Sequence, residues 1–362
     1  MNSKHQQAPF EISVTGAMSG SSLDGLDVAA CHFQNHGSRW DYQIACAETL
    51  TYPSGIRSRL RDIGKMSGDE LARLDADLGV FFGKAISGFI QRHGIARPDY
   101  IASHGHTACH NPSAGYTLQI GNGAAIAAQV LIPTITDFRS LDVALGGQGA
   151  PLVPIGDELL FHEYDCCLNL GGYGNISYKD KDGRRAFDTC PVNKPINLLA
   201  EQAGEEMDRD GLMARRGHVI HPMLESLNAL EYYHAPPPKS LGDTWFDQTF
   251  MAVLDQWEDR PLYDRMRTVY EHIAIQVARS THWLKSGRIL ATGGGAHNNF
   301  LMERLQQHNC LQLVKPADQL VDFKEALVFA LMGALRSRRQ VNCLATATGA
   351  SGNSSGGVIY HI

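Results

Sequence analysis

Three glycine-rich segments each follow an apolar, strand-like run. The first is Gly16-Ala17-Met18-Ser19-Gly20-Ser21-Ser22-Leu23-Asp24-Gly25-Leu26-Asp27. The second is Leu168-Asn169-Leu170-Gly171-Gly172-Tyr173-Gly174-Asn175, and the third is Leu290-Ala291-Thr292-Gly293-Gly294-Gly295-Ala296-His297-Asn298. Glycine lets a backbone bend tightly and come close to a ligand, and successive N–H groups in such turns form nests for phosphate oxygens. Ser19, Ser21 and Ser22 add hydroxyl donors, and Asp24 and Asp27 supply the hard oxygens that Mg²⁺ accepts. A single short glycine motif is also an ordinary strand-to-turn punctuation. Three together, two of them in equivalent places of similar stretches, favour a phosphate clamp.

Competing phosphate motifs are missing. There is no G-x-x-x-x-G-K-[ST], and no complete G-x-G-x-x-G follows a strand, so a dinucleotide site has no support. A formal G-x-S-x-G at 352–356 has no helix after it and no later acid to complete a hydrolase triad. His104, His106 and His110 lie close in sequence, with Asp137 and Arg139 downstream. They suit either a metal or hydrogen bonds to a sugar or a turn, and the lack of a completing carboxylate cluster favours the latter. Asp188 closes a strand-like run and suits a general base as well as a turn residue.

These groups need a scaffold. The run 11–15, a glycine loop over 16–27, and the runs 28–34 and 42–50 read as strand, turn, strand, strand. The same order recurs in 165–170, a turn over 171–174, 175–179 and 184–189. Helical material follows each, which predicts two related α/β lobes. Helix periodicity is clearest over 69–92, where Leu71, Leu74, Leu78, Phe81, Phe82, Ala85, Phe89 and Ile90 make one apolar stripe, with Ser67 or Asp69 as cap. Further helices are expected over 263–284 and 324–339, strands over 100–103 and 288–292, and a loop at 235–238. A Gly/Ser surface loop over 349–357 is expected to lead into a last strand at 358–361. The lobe boundaries are placed so that 1–136 plus 346–362 form one lobe and 137–345 the other.

The 362 residues suit two domains, and 43% hydrophobic content excludes wholesale disorder. A net charge of −6 gives no footprint for nucleic acid, and no apolar run is long enough to span a membrane. The sequence beginning MNSKHQQAPF has no apolar signal core, and the eight cysteines form no C-x-x-C, so a cytoplasmic protein with reduced thiols is expected.

The chain resembles the anhydro-N-acetylmuramic acid kinase family, whose fold is of the actin/hexokinase type. The resemblance rests on GAMSGSSLDGLD (16–27), SHGHT (103–107), TLQIGNG (117–123) and TDFRSLDVALGGQGAPLVPIGD (136–157). It extends through LNLGGYGNIS (168–177), FDTCPVN (187–193), PKSLG (238–242), TGGGAHNNFLMERL (292–305) and FKEALVFA (323–330). It implies two ribonuclease H-like lobes with an ATP and substrate cleft between them. The implied reaction is ATP-dependent opening of 1,6-anhydro-N-acetylmuramic acid by water with phosphorylation of O6, in peptidoglycan recycling. An ordinary amino-sugar kinase and a non-catalytic ATP-binding regulator are the alternatives.

By resemblance, Asp188 is the base that activates water. Thr107, His106, Asp137, Arg139, Asn193 and Glu325 meet the sugar, with Arg139 suited to the lactyl carboxylate. ATP is held by Gly16, Met18 to Asp27, Gly171, Gly172, Gly174, Asn175, Gly293, Gly294, Gly295 and Asn298, with Mg²⁺ at Asp24 and Asp27. A homodimer is implied. The chain departs from the common pattern at His106, where Gln is usual, and at Cys190, Val192 and Asn197, where two glycines and an Asp are usual.

Overall fold

The structure, a computed structural model, describes residues 10–20, 22–37, 39–237 and 239–362. Its strands are β1 (Phe10–Ser19), β2 (Gly25–Asn35), β3 (Trp40–Thr51), β4 (Tyr100–Asn111), β5 (Tyr116–Ile120) and β6 (Thr134–Thr136), followed by β7 (Cys166–Leu170), β8 (Tyr173–Asp180), β9 (Gly183–Pro191), β10 (Arg288–Thr292), β11 (Gln312–Val314) and β12 (Val358–Tyr360). One sheet runs β12-β6-β4-β1-β2-β3 with β5 on β4, and the other runs β11-β10-β7-β8-β9.

The two sheets share one plan. In the first, β1, β2 and β3 pair antiparallel while β4 and β6 join β1 in parallel. In the second, β7, β8 and β9 pair antiparallel while β10 and β11 join β7 in parallel. The orders 3-2-1-4-6 and 9-8-7-10-11 are therefore equivalent. Each unit has the expected ribonuclease H-like sheet: a hairpin meander first, then parallel strands reached through helical crossovers.

The chain separates into a unit ending at Leu160 and completed by Phe323–Ile362, and a unit Phe161–Asp322. The sequence reading put these crossings at 136 and 346. The later first crossing follows from what holds 137–160. Asp142 Oδ1 accepts from Thr348 Oγ1 at 2.7 Å, and Gln148 N–H donates to the Thr348 carbonyl at 2.9 Å. Lys324 pairs with Asp157 at 2.7 Å. The helix Asp318–Ser337 begins earlier than its apolar pattern implies and has a non-helical backbone at Phe323 (φ −112°, ψ 15°), where the second crossing falls.

The helix Gly68–Arg92 forms as read. Ser67 and Glu70 close a reciprocal capping box, and Leu74, Leu78, Phe82, Ile86 and Phe89 enter the core of the first unit. Each such side chain contributes about 1.5–3 kcal/mol by leaving water. The helix Leu262–Ser280 does the same for the second unit through Met266, Val269, Tyr270, Ile273 and Val277, and it stops four residues short of the expected end. The loop at 235–237 is as expected, with Pro238 outside the described residues. The stretch 349–357 is not a plain surface loop: Ser354 bridges Cys343, and Gly356 N–H donates to the buried Asn342 Oδ1 at 2.8 Å. Among the described residues no helix is long and apolar enough to cross a membrane.

The expected loop over 16–27 is much shorter than its glycines suggest. β1 continues through Ser19 and β2 resumes at Gly25, leaving 20–24 as the connection. Gly16 serves packing instead of turning, because a Cβ there would lie 2.0 Å from the Ala326 carbonyl oxygen of the helix crossing the sheet. The turn expected over 171–174 likewise shrinks to Gly171 and Gly172, since β8 starts at Tyr173.

This contact yields a stability prediction. Gly16→Ala should destabilise the protein by about 2 kcal/mol or more, since neither the strand nor the helix carbonyl can yield freely. Gly55→Ala, in the helix Ser54–Arg61 with open space around it, should be neutral or mildly stabilising. Urea unfolding of both variants checks the contrast, and equal stability of the two would refute it.

Candidate active site

In the first unit the polar groups gather around Arg139, which follows β6 after Asp137, a residue at φ +58°. Arg139 Nε donates to His104 Nε2 at 2.8 Å, and Nη1 donates to the Gly149 carbonyl at 2.6 Å. His104 Nδ1 lies 2.8 Å from the Gly105 carbonyl. With Nε2 accepting from a guanidinium, Nδ1 must be the protonated nitrogen, and the ring is neutral. Burial, aided by the adjacent Arg139, holds its pKa well below the usual histidine range.

Burial lowers the Arg139 pKa to about 10, against the attraction of Glu325 and Asp142. Burial also raises the Glu325 carboxyl, which Arg139 pulls down and Asp27 pushes up. Asp27 accepts from Thr49 Oγ1 at 2.6 Å. Asp27, Glu325, Arg139 and His104 thus form one electrostatically connected row. Thr107 is exposed further along β4 from His104, with Gln119 Nε2 donating to its hydroxyl at 3.4 Å, and Asp137 Oδ1 accepts from Ser140 N–H at 3.3 Å.

The first glycine cluster divides. Gly16, Met18, Gly25 and Leu26 are buried ladder residues, so they offer no loop surface. Ser19, expected as a phosphate donor, has its hydroxyl committed to Tyr52 and His106. Gly20, Ser22, Leu23 and Asp24 form the connection, with Ser22 and Asp24 exposed and Leu23 at φ +59°. Ser21 lies outside the described residues. For the alternative metal reading, His104 has both ring nitrogens engaged while His106 and His110 each bond a hydroxyl through Nδ1 only, and among the described residues no three His, Cys, Asp or Glu side chains gather as a metal would need.

In the second unit the turn at Gly171 and Gly172 receives the chain segment after β9. Val192 N–H donates to the Gly172 carbonyl at 2.8 Å, Asn193 N–H to that of Gly171 at 3.1 Å, and Asn193 Nδ2 to that of Leu170 at 3.0 Å. Gly293 (φ +83°) and Gly295 lie against Leu170, with Asn193 Oδ1 3.1 Å from where a Cβ of Gly295 would be. The second and third glycine clusters and Asn193 therefore converge. Asn298 does not share this role: its Oδ1 caps the following helix at Leu301 N–H, and its Nδ2 donates to Tyr270 Oη and the Asp208 carbonyl. Gly174 and Asn175 are β8 residues, and Asn175 is the cross-strand partner of Asp188.

Asp188 Oδ2 accepts from Leu241 N–H at 2.8 Å. The Asp188 carbonyl accepts from Tyr232 Oη at 2.7 Å, and its N–H donates to the Lys239 carbonyl at 3.3 Å. The second carboxylate oxygen accepts no hydrogen bond among the described residues. Burial raises this carboxyl to about 6, the Leu241 N–H offsetting part of the shift. A carboxylate with that pKa and one open oxygen is suited to take a proton near neutral pH.

Three groups escaped the sequence reading. Lys194 donates to Asp243 Oδ1 at 2.5 Å and to Tyr173 Oη at 3.2 Å, and its stem lies over Gly172. Its place next to Asn193 was the available signal. Lys239 and Leu241, in the PKSLG motif, and Tyr52, before Pro53, sit 51, 53 and 33 residues from the groups they hold, so nothing local pointed to them.

The profile of a family described as anhydro-N-acetylmuramic acid kinase matches residues 12–362. An anhydro-N-acetylmuramic acid kinase of Synechococcus elongatus is 35% identical over 381 residues, covering 96% of this chain and 99% of that one. Those of Aliivibrio fischeri and Xanthomonas campestris pv. campestris are also 35% identical, covering 95% and 98% of this chain and 98% of each relative. Among solved structures, a ROK family glucokinase from Streptomyces griseus in complex with glucose and AMPPNP aligns with a TM-score of 0.39 at 12% identity, over 88% of this chain and 97% of that one.

The raised Asp188 pKa has a sign that can be measured. An acid whose folded pKa lies above its unfolded value stabilises the fold relatively at low pH and loses that contribution as pH rises through the folded pKa. Asp188→Asn should therefore be more stable than the wild type at pH 8, by about 1–2 kcal/mol after allowance for partial exposure. The advantage should close as pH falls through about 6 towards 4. Thermal unfolding of both proteins across that range checks it, and a difference independent of pH would refute it.

Proposed function

The chain belongs to the anhydro-N-acetylmuramic acid kinase family, and we propose that it uses ATP and water to convert 1,6-anhydro-N-acetylmuramic acid into N-acetylmuramic acid 6-phosphate and ADP. The observation that carries the mechanism is Asp188: one oxygen fixed by Leu241 N–H, the other open, and a pKa of about 6. Its carboxylate takes a proton from water, and the water oxygen forms the bond to C1. The C1–O6 bond breaks, O6 attacks the γ-phosphorus of ATP, and ADP leaves. Water alone is a poor nucleophile, and a positioned base lowers that barrier.

The other roles follow from the chemistry of each group. Arg139, held by His104 and Gly149, pairs with the lactyl carboxylate, and Glu325, Thr107, His106 and Asp137 contact the sugar. The backbone at Gly171, Gly172 and Gly293–Gly295, with Asn193, receives ATP phosphates, and Gly20, Ser22 and Asp24 offer further donors and charge. Asp27 and Asp24 would supply the one or two carboxylates through which Mg²⁺ is usually held beside phosphates. Burial is the main cause of the raised Glu325 carboxyl and Asp27 adds to it, so a cation held by Asp27 would relieve part of that repulsion. The ion would neutralise phosphate charge. We further assign a cytoplasmic setting, a part in peptidoglycan recycling and a symmetric homodimer, the commonest closed assembly.

Product mass spectrometry after incubation with ATP, Mg²⁺ and the anhydro-sugar in ¹⁸O-water should show one heavy oxygen at C1 and a phosphate on O6. Asp188→Asn should lower turnover by roughly 10²–10⁴-fold while still binding ATP. Wild-type kcat/KM should fall about tenfold per pH unit below about 6. A product without heavy oxygen, or near-normal turnover in the variant, would overturn the mechanism.

A further inference from the structure

The first unit contains a buried chain of three polar side chains, of which the function proposed above uses only the end, His106, as a sugar contact. Tyr52 Oη lies 2.5 Å from Ser19 Oγ, and Ser19 Oγ lies 2.8 Å from His106 Nδ1. The relative exposures of Tyr52, Ser19 and His106 are 4%, 2% and 6%, so water does not supply missing partners easily. His106 Nε2 makes no hydrogen bond among the described residues.

We propose that Ser19, oriented by Tyr52, is a positioning residue that locks His106 as the Nε2–H tautomer, so that the ring presents a fixed neutral N–H donor to an uncharged oxygen of the sugar. The lock stands on the geometry alone. Its use toward a sugar rests on the function proposed above.

Counting protons decides the tautomer. Two hydroxyl protons and one ring proton must be distributed over this chain. If Tyr52 donates to Ser19 and Ser19 to Nδ1, both buried hydroxyl protons have an acceptor, and the ring proton sits on Nε2, the open end of the chain, which is not among the buried polar atoms without a partner. If Nδ1 carries the proton, it donates to Ser19, and one hydroxyl proton is left without an acceptor. A buried donor left unpaired disfavours that arrangement by roughly tenfold or more. Burial also lowers the pKa of the imidazole, which favours the neutral ring. The other titratable groups acting on this cluster are Asp27, which acts on Tyr52, and His104, which Arg139 holds neutral in the opposite tautomer.

The consequence is selectivity of contact. A neutral N–H of fixed direction suits a hydroxyl or amide carbonyl oxygen, whereas a carboxylate finds its better partner in the guanidinium of Arg139. The structure thus gives Ser19 a task different from phosphate binding.

Long-range ¹H–¹⁵N NMR on the full chain labelled at histidine, assigned with His106→Gln, reads the tautomer directly and needs no functional variant. The expected result is His106 as Nε2–H between about pH 6 and 8. Ser19→Ala should give a mixed or Nδ1–H ring, and Tyr52→Phe should keep Nε2–H. Kinetically, Ser19→Ala should raise KM for the anhydro-sugar about three- to tenfold with kcat little changed. His106→Gln, whose amide nitrogen can occupy the Nε2 position, should retain most of the affinity. A wild-type ring protonated at Nδ1, or an unchanged tautomer in Ser19→Ala, overturns the lock. An unchanged KM alongside a mixed tautomer overturns the donor role. Nε2–H in a protein that never turns over the anhydro-sugar leaves the lock standing and refutes the function.

Discussion

A largely enclosed guanidinium sets the terms for the first unit. Taking an arginine away from water is costly unless each N–H finds an acceptor and a counter-charge lies near. Arg139 meets the first need in part, with Nε on His104 Nε2 and Nη1 on the Gly149 carbonyl, and the second through Glu325 and Asp142. The first bond forces His104 to be neutral and to send its proton to Gly105. The second fixes 146–149, which Asp142 also holds through Gly149 N–H. Asp142 in turn draws in Cys343 and Thr348, so the C-terminal segment is tied to the same charge. Removing the arginine would leave acceptors and carboxylates facing one another.

Glycine does two separate jobs here, and only one shows in a local pattern. At Gly171 and Gly172 it makes the tight turn that the sequence announces. At Gly16 it admits a helix carbonyl, a contact made with residues more than three hundred positions away. A reading from spacing assigned both to loops, because a run of small residues looks the same whether the chain turns or another backbone presses on it. The parallel between the two strand–turn–strand stretches survived, because it rests on alternation of apolar residues, which is local. The helix Gly68–Arg92 was legible for that reason too: its stripe and its Ser67–Glu70 box lie within the segment.

The candidate site was legible in its reactive groups and not in their supports. Asp188, Arg139 and Glu325 could be named from the family resemblance, and the resemblance also supplied the motif PKSLG. What could not be read was that Leu241 N–H holds the Asp188 carboxylate, or that Ser19 turns away from the loop surface into Tyr52 and His106. Those are long-range hydrogen bonds between ordinary residue types, and no periodicity encodes them. Lys194 shows the intermediate case: it adjoins Asn193, yet only its contact with Gly172 and Asp243 makes it part of the site.

The altered stretch after Asp188 can be judged on the same grounds. Two positions usually glycine are Cys190 and Val192, and both side chains are completely buried in the core of the second unit. Val192 fills space beside Gly174, where a Cβ would come within 2.9 Å of its methyl group, and Thr189 Oγ1 bonds the Gly174 carbonyl at 3.0 Å. The added atoms therefore go inward, toward apolar neighbours, and contribute burial in place of backbone freedom. The backbone of Val192 and Asn193 still bonds the turn at Gly171 and Gly172. Asp188 is oriented from elsewhere, by Leu241, Lys239 and Tyr232. The hydrogen bonds that orient Asp188 thus come from 232–241 and not from the altered stretch, although Cys190 shares its strand and lies near both Asp188 and Tyr232.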